Sequence, residues 1–275
     1  MNTTRTVLSL ARREVAAHLQ SRWILVTGSL CAALSWAVAF HGFAFTGETP
    51  GHETVLVSLV HLQLYAVPLL GLLLAYDTLL GERESGMFDL HLALGVRPVE
   101  FILGKWLGLW ASLWIALAPS AALQAAGLLD AGGTFHQFAR FQAYAALLSG
   151  AIVSLGLALS GSSLNRGTVI ALCIGAWIVQ AVLLDLVVIG LLASSGGDVP
   201  ALLVDALTAA HPLGAYRLLN YLSFFPEQAV AGPRAWVAGP AAAHAVLAVW
   251  ILLPALALHH RLARTYRAVP LAPAP

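Results

Sequence analysis

The chain has 275 residues, 59% of them apolar and only 10% charged, and its mean hydropathy is +0.82; a water-soluble domain carries about 25% charged residues. A soluble globular protein is excluded. Fourteen Lys and Arg nearly balance thirteen Asp and Glu, so there is no basic field to hold nucleic acid.

In residues 1–22, Leu8, Ala11, Val15 and Leu19 recur at helical spacing, with Arg5, Arg12 and Arg13 elsewhere around the axis. This pattern predicts an interfacial helix whose arginines meet anionic membrane lipid. Stretches free of Asp, Glu, Lys and Arg follow at 23–47, 54–76, 106–129, 141–165, 167–184 and 235–260, none shorter than 18 residues. About 20 helical residues cross the hydrocarbon layer. The expectation is an all-α integral membrane protein with six transmembrane helices over residues 23–262 and a tail at 263–275. The runs are continuously apolar, which excludes the alternation of barrel strands. The run after Arg22 also outlasts the core of about 7–15 residues typical of a cleaved signal peptide.

Orientation follows from the basic residues. Eleven of the fourteen fall before the first span, between spans two and three, in the four–five turn or after the last span. Only Arg140, Arg217 and Arg234 fall in the opposite connections, so both termini are expected in the cytoplasm. The opposite, outer side has a long segment, 194–240, with short apolar stretches at 201–207 and 218–225 broken by Pro212 and Pro226. Two short surface or re-entrant helices are expected there.

The most informative stretch is 81–104. Glu82 and Glu84 precede a short helical pattern in which Met87, Leu90 and Leu94 share a face, Gly95 is placed to end it, and Pro98 suits the first turn of the next helix. Such a helix between two rigid spans could be gripped by a soluble partner; an ordinary capped loop with its charges in water fits the same residues.

Polar groups within the spans are few. Asp185 lies well inside the fifth, where an ionised carboxylate costs about 2.5–3.5 kcal/mol on insertion scales. It either lines a central cavity or pairs with a hydroxyl or imidazole on a neighbouring helix; the lack of a relay favours the pair. Asp77, near the cytoplasmic end of span two, is read as structural, within reach of water or Arg83. The small-residue pairs Gly71 with Ala75, Gly104 with Gly108 and Gly156 with Ser160 each permit close helix approach.

Ten histidines invite a metal reading, but they are scattered. His41, His52 and His61 lie toward one side, His259 and His260 toward the other, and neither HExxH nor CxxC occurs. The soft ligands are Met1, Met87, Cys31 and Cys173 alone, too few for a copper-conducting ladder. No metal or cofactor is expected on this chain. An intramembrane hydrolase would need a serine with a base, for which Ser149 or Ser160 with His61 or His244 can be named; serine beside glycine is a routine packing feature.

The run from Ala75 to Leu109, AYDTLLGERESGMFDLHLALGVRPVEFILGKWLGL, resembles the segment that ABC-2 type permeases carry between their second and third helices. The runs WIVQAVLLDLVVIGLL (177–192) and HPLGAYRLLNYL (211–222) are similar to the branch of that family serving nitrous oxide reductase maturation, in which Asn usually stands at the position of His211. The resemblance implies an exporter-like membrane subunit of the bacterial inner membrane, forming a homodimer and binding two copies of a cytoplasmic ATPase that carries ATP and Mg. It further implies an elbow helix over residues 5–21 and a coupling helix over 85–94, with Glu82, Glu84, Ser85, Met87, Phe88, Asp89 and Leu90 as the ATPase-coupling residues. In the maturation branch, the outer surface would dock a periplasmic β-helical partner in a system that supplies copper. The residues from Gly95 to Trp106 do not form a Walker A motif, because the glycine spacing is wrong and no Ser or Thr follows Lys105. ATP hydrolysis therefore belongs to another chain.

Overall fold

A computed structural model describes residues 3–41, 51–162, 164–196, 199–225 and 239–268. Its elements are helical: α1 (Thr3–Leu19), α2 (Arg22–Trp36) running into a π turn (Ala37–His41), α3 (His52–Ala75), α4 (Thr78–Glu84), α5 (Met87–Ala93), α6 (Pro98–Asp130) and α7 (Phe135–Ser160). Next come α8 (Arg166–Ile178), a second π turn (Val179–Leu183), α9 (Leu184–Ser194), α10 (Ala201–Ala209), α11 (Pro212–Phe224) and α12 (Gly239–Ala268). Five helical runs are long and apolar enough to cross a membrane, and a sixth is reached when the bent pair α1 and α2 counts as one span. The expected end of the first span at 42–47, the outer stretch 226–238 and the tail beyond 268 lie outside the described residues.

Lipid tails are as apolar as leucine, so close packing rather than water exclusion must hold the spans together. The small residues noted in the sequence supply that packing within the chain. A Cβ on Gly156 of α7 would lie 2.7 Å from the Ala75 methyl of α3, and one on Gly71 would lie 3.0 Å from Ile152. On α6, Gly104 and Gly108 receive Leu10 and Glu14 of α1 at 2.6 and 2.5 Å. Around these seams Leu64, Leu72, Phe141, Leu148 and Ile152 form one core and Leu79, Phe101, Leu109, Leu113 and Val153 another. Trp106, Trp110 and Trp114, one helical turn apart on α6, donate to the Gly150 carbonyl, the Ala146 carbonyl and the Ser149 hydroxyl of α7.

The α1 helix differs from its sequence reading. Its Thr6, Leu10, Ala11 and Glu14 face lies against α6, while Leu8 and Leu19 stay exposed. The glycines of α6 can accept a close neighbour, so the buried stripe is set by α6 and not by the apolar spacing of α1 alone. Of the surface and re-entrant readings for the segment after span five, the burial of α11 fits the second. Pro212 opens α11 instead of separating it from residues 218–225, its fixed φ suiting a first helical turn, and Leu213, Ala215, Tyr216, Leu218 and Leu219 are all buried.

Span five and α12 are packed more lightly than α3, α6 and α7. Only 17% of the apolar window of span five and 22% of that of α12 is buried, against 61% for α7, and a Cβ on Gly175 or Gly190 of span five would meet nothing within 4 Å. Replacing Gly156 by Leu is expected to destabilise the bundle by about 1–3 kcal/mol through overpacking, whereas Gly175→Leu leaves it nearly unchanged. Thermal unfolding of the two detergent-purified variants checks this contrast.

Candidate functional site

The segment between α3 and α6 is built by two glycine hinges. Gly86 and Gly95 adopt φ of 72° and 71°, a region costly for residues with a Cβ. The seven-residue α5 is hung between them. The Val96 amide bonds back to the His91 carbonyl across Gly95 at 3.2 Å, closing a Schellman-type stop as Gly95 foretold. Pro98 then opens α6, and the Glu100 carboxylate accepts from the Arg97 amide.

The back of this segment is locked to the bundle by charge. Lys105 Nζ of α6 lies 2.5 Å from Glu14 Oε2 of α1 and 2.6 Å from Glu82 Oε1 of α4. Arg13 Nη2 also reaches Glu82 Oε1 at 2.6 Å, and Arg13 Nη1 lies 3.0 Å from His91 Nε2 of α5. His91 Nδ1 is 2.6 Å from the Met87 carbonyl, which assigns the ring proton to Nδ1 and leaves Nε2 to accept from Arg13. Two acids and two bases balance here: the side chains of Glu14 and Glu82 are 8% exposed and that of Lys105 is 4%, while Arg13, 43% exposed, closes the set from the rim. Burial alone would raise the Glu14 carboxyl, but hydrogen bonds from His18 and Lys105 and the charge of Lys105 hold it below its ordinary value. Arg13 thus has partners within the chain, Glu82 and His91, while its side chain stays partly exposed.

Further ties reach the remaining spans. The Ser160 hydroxyl of α7 accepts from the Leu79 and Leu80 amides, satisfying the start of α4. Arg83 donates to the Ser162 and Gly161 carbonyls just after α7. Asp77 pairs with Arg166 at 3.2 Å rather than with Arg83, and Arg166 also holds Glu84 at 2.8 Å. Six residues beyond Asp77, Arg83 falls on the far side of a 3.6-residue turn, while the short 162–165 connection delivers Arg166.

These contacts sort the coupling residues read from sequence. Glu82 and Phe88 face inward, with Phe88 edge-on to Phe101 at 5.7 Å, and Met87 is half-buried. Glu84, Ser85, Asp89 and Leu90 face outward, and Leu94 joins them; Leu90 is 49% exposed and Leu94 61%. The sequence reading missed Arg13, Glu14, His91 and Lys105 as members of this group. A signal was present: Lys105 is the one lysine among the fourteen Lys and Arg, placed just inside an apolar helix.

At the other end of the bundle, Asp185 is held by Arg217 of α11 through two contacts of 3.1 and 2.8 Å. The expected hydroxyl or imidazole is replaced by a guanidinium, because α11 folds back into the spans and carries Arg217 with it. His211 caps α11, its Nδ1 accepting from the Gly214 amide at 3.2 Å. An Asn carbonyl could fill the same role. Burial pushes the His211 imidazole down to about 4, with Arg217 adding to the shift and Asp185 opposing it.

The hydrolase candidates have other duties. Ser149 is engaged by two indoles and Ser160 by α4, while His61 and His244 bond to carbonyls of their own helices. No group of three or more His, Cys, Asp or Glu side chains suited to a metal ion occurs among the described residues.

The family profile described as ABC-2 family transporter protein matches residues 8–264. The probable ABC transporter permease protein NosY of Pseudomonas aeruginosa is 34% identical over 272 residues, covering 94% of this chain and 98% of that protein. The probable ABC transporter permease protein NosY of Stutzerimonas stutzeri is 31% identical over 227 residues, covering 79% of this chain and 82% of its own length.

Two outcomes test the geometry. Lys105→Met strands Glu14 against Glu82 and should cost about 3–5 kcal/mol, much of it recovered by adding Glu14→Gln; thermal unfolding of the single and double variants reads this. The His211 cap requires a neutral ring. Because its folded value lies below the ordinary 6.5, its contribution is complete above pH 6.5 and is lost as the pH falls from there through about 4. His211→Asn should flatten the melting temperature over that window while preserving α11.

Proposed function

The chain belongs to the ABC-2 family of transporters, and on that premise we propose that it couples a cytoplasmic ATPase to the membrane bundle through α5. It is the non-catalytic membrane subunit of an ATP-driven system. In the proposed assembly two copies of the chain pair, and each seats the outward face of α5 in one ATPase. The observation that carries this reading is the contrast across a single short helix. Leu90 and Leu94 are exposed apolar side chains, with Ser85 and Asp89 beside them, while Phe88 and His91 on the opposite face are buried. An exposed apolar anchor with a polar rim is what a protein contact uses.

Coupling then follows from the charge lock. A pull on α5 acts on His91 and Glu82, hence on Arg13 and Glu14 of α1 and Lys105 of α6, and through Arg166 on α8. The ATPase can shift the bundle only by as much as its states bind two permease shapes differently. At the finer level, the similarity to the NosY proteins supports placing the chain in copper-site maturation of nitrous oxide reductase, with the shape change passed to a periplasmic β-helical partner. The few sulfur ligands and the scattered histidines favour transmission of movement over passage of copper through this chain.

Leu90→Glu tests the contact, since Leu90 is exposed and its replacement leaves the bundle intact. Co-purification with the ATPase should fall by tenfold or more, about 1.4 kcal/mol at least, with the thermal stability of the permease unchanged. Full assembly and normal turnover of Leu90→Glu and Leu94→Glu would remove α5 as the handle. Phe88 is unsuitable for this purpose, because its charged variants would disturb the core.

A further inference from the structure

A recess of about 410 Å³ opens on the side of the bundle near the α1–α2 bend. Ile24 and Gly28 of α2 form one wall, Leu70 and Leu74 of α3 the other, Leu117 of α6 the floor and Ile170 of α8 a flank. Its exposed lining is mainly apolar, and its polar residues include His18, Ser21 and Asp77 near the ends of α1 and α3. His18 at its edge also bonds to Glu14 of the charge lock, while the α5 contact does not use this space.

The form of the recess limits its occupant. It is a cleft between helices, not a flat face, and it sits on the side of a bundle whose helices are long and apolar enough to cross a bilayer. Taking about 30 Å³, the share of one water in the liquid, as the size of a methylene-like unit, the space corresponds to a chain of about 14 such units. A volume of this size with apolar walls and few polar groups is that of a small-ligand site, about 300–1,000 Å³. At its lip, Asp77 and Arg166 form an ion pair at 3.2 Å with side chains 37% and 48% exposed. Glu84 reaches the same guanidinium at 2.8 Å, so the lip sets exposed carboxylates beside one exposed cation, groups that can meet an ammonium and a phosphate respectively.

We propose that this recess is a binding site for one acyl chain of a zwitterionic glycerophospholipid, its headgroup resting on the Asp77–Arg166 pair. The lipid fills the cleft between α2 and α3 and so braces the hinge at which α1 turns into the first span. This site does not depend on α5 meeting an ATPase. Its failure and the failure of that coupling are therefore read by separate measurements.

The test uses the full chain with its ATPase in nanodiscs containing phosphatidylethanolamine with a diazirine in its acyl chain. Cross-links should concentrate on the facing walls of α2 and α3, at peptides holding Ile24–Gly28 and Leu70–Leu74. Thr27→Phe and Leu73→Trp, each filling the cleft with an aromatic ring, should cut that labelling by about tenfold, while Leu253→Trp on the exposed face of α12 leaves it intact. Asp77→Asn should lower labelling by the ethanolamine probe relative to a phosphatidylglycerol probe with the same chain. Labelling that persists in both filled variants, or is spread evenly over α12, would overturn the site. Cross-linking of one Leu73→Cys copy to another would do so too, by showing that a second copy covers the cleft. Equal response of the two probes to Asp77→Asn would overturn the zwitterionic assignment.

Discussion

Everything at the coupling end of the bundle depends on one lysine held between two carboxylates. Lys105 sits where neither bulk water nor lipid solvates it, so its charge has to be met by Glu14 and Glu82, and theirs by Lys105 and Arg13. A buried ion set of this kind adds little net stability over apolar packing, but breaking one member is costly. Its effect is to tolerate few arrangements. Because the members come from α1, α4 and α6, with His91 joining from α5, these four elements are tied to one relative placement. A displacement of α5 has to carry the others along or break the set.

The remaining ties give that placement its reach. Ser160 and the carbonyls after α7 hold α4, and Arg166 joins α4 to the start of span five. Span five, in turn, is packed loosely and is anchored by the Asp185–Arg217 pair at the end of the bundle away from α5. Stiff packing at α3, α6 and α7 next to a lightly held fifth span is a suitable division for a bundle that must change shape, since a packed core resists small deformation while a weakly packed helix can shift. A polar seam through the stiff part, in which Gln63 donates to Gln124 and Gln142 and Gln124 donates to Ser35 and Ser120, links α2, α3, α6 and α7.

Much of this architecture can be read from the residues, and the rest could not be for physical reasons. Uncharged runs give the spans because the bilayer penalises charge wherever it occurs, and Gly95 with Pro98 gives the end of α5 and the start of α6 because their backbone rules are local. Partnerships across distance are not local. Asp77 took Arg166 over the nearer Arg83 because helix phase and a tight turn decided it. Asp185 met Arg217 because a stretch between two spans folded inward. Glu82 looked like a surface handle among charged neighbours, yet Lys105, 23 positions on in the sequence, draws it under the bundle. The small-residue pairs announced close contact without naming partners; Ala75 and Gly156 turned out to meet each other. The histidine at 211 accepts an amide of the first turn of α11, a capping duty that asparagine can also perform.

The π turn at Val179–Leu183 lies just before Asp185. A π turn amounts to one surplus residue taken up in a wider turn of an α-helix, so the segments on either side keep nearly the phase of an uninterrupted helix. Deleting a single residue there would restore regular winding and leave Asp185 turned toward Arg217, whereas the same deletion within α8 would rotate Leu184–Ser194 by about 100° and swing the carboxylate away from its guanidinium. The wide turn is therefore a place where related chains can gain or lose a residue without re-aiming the span.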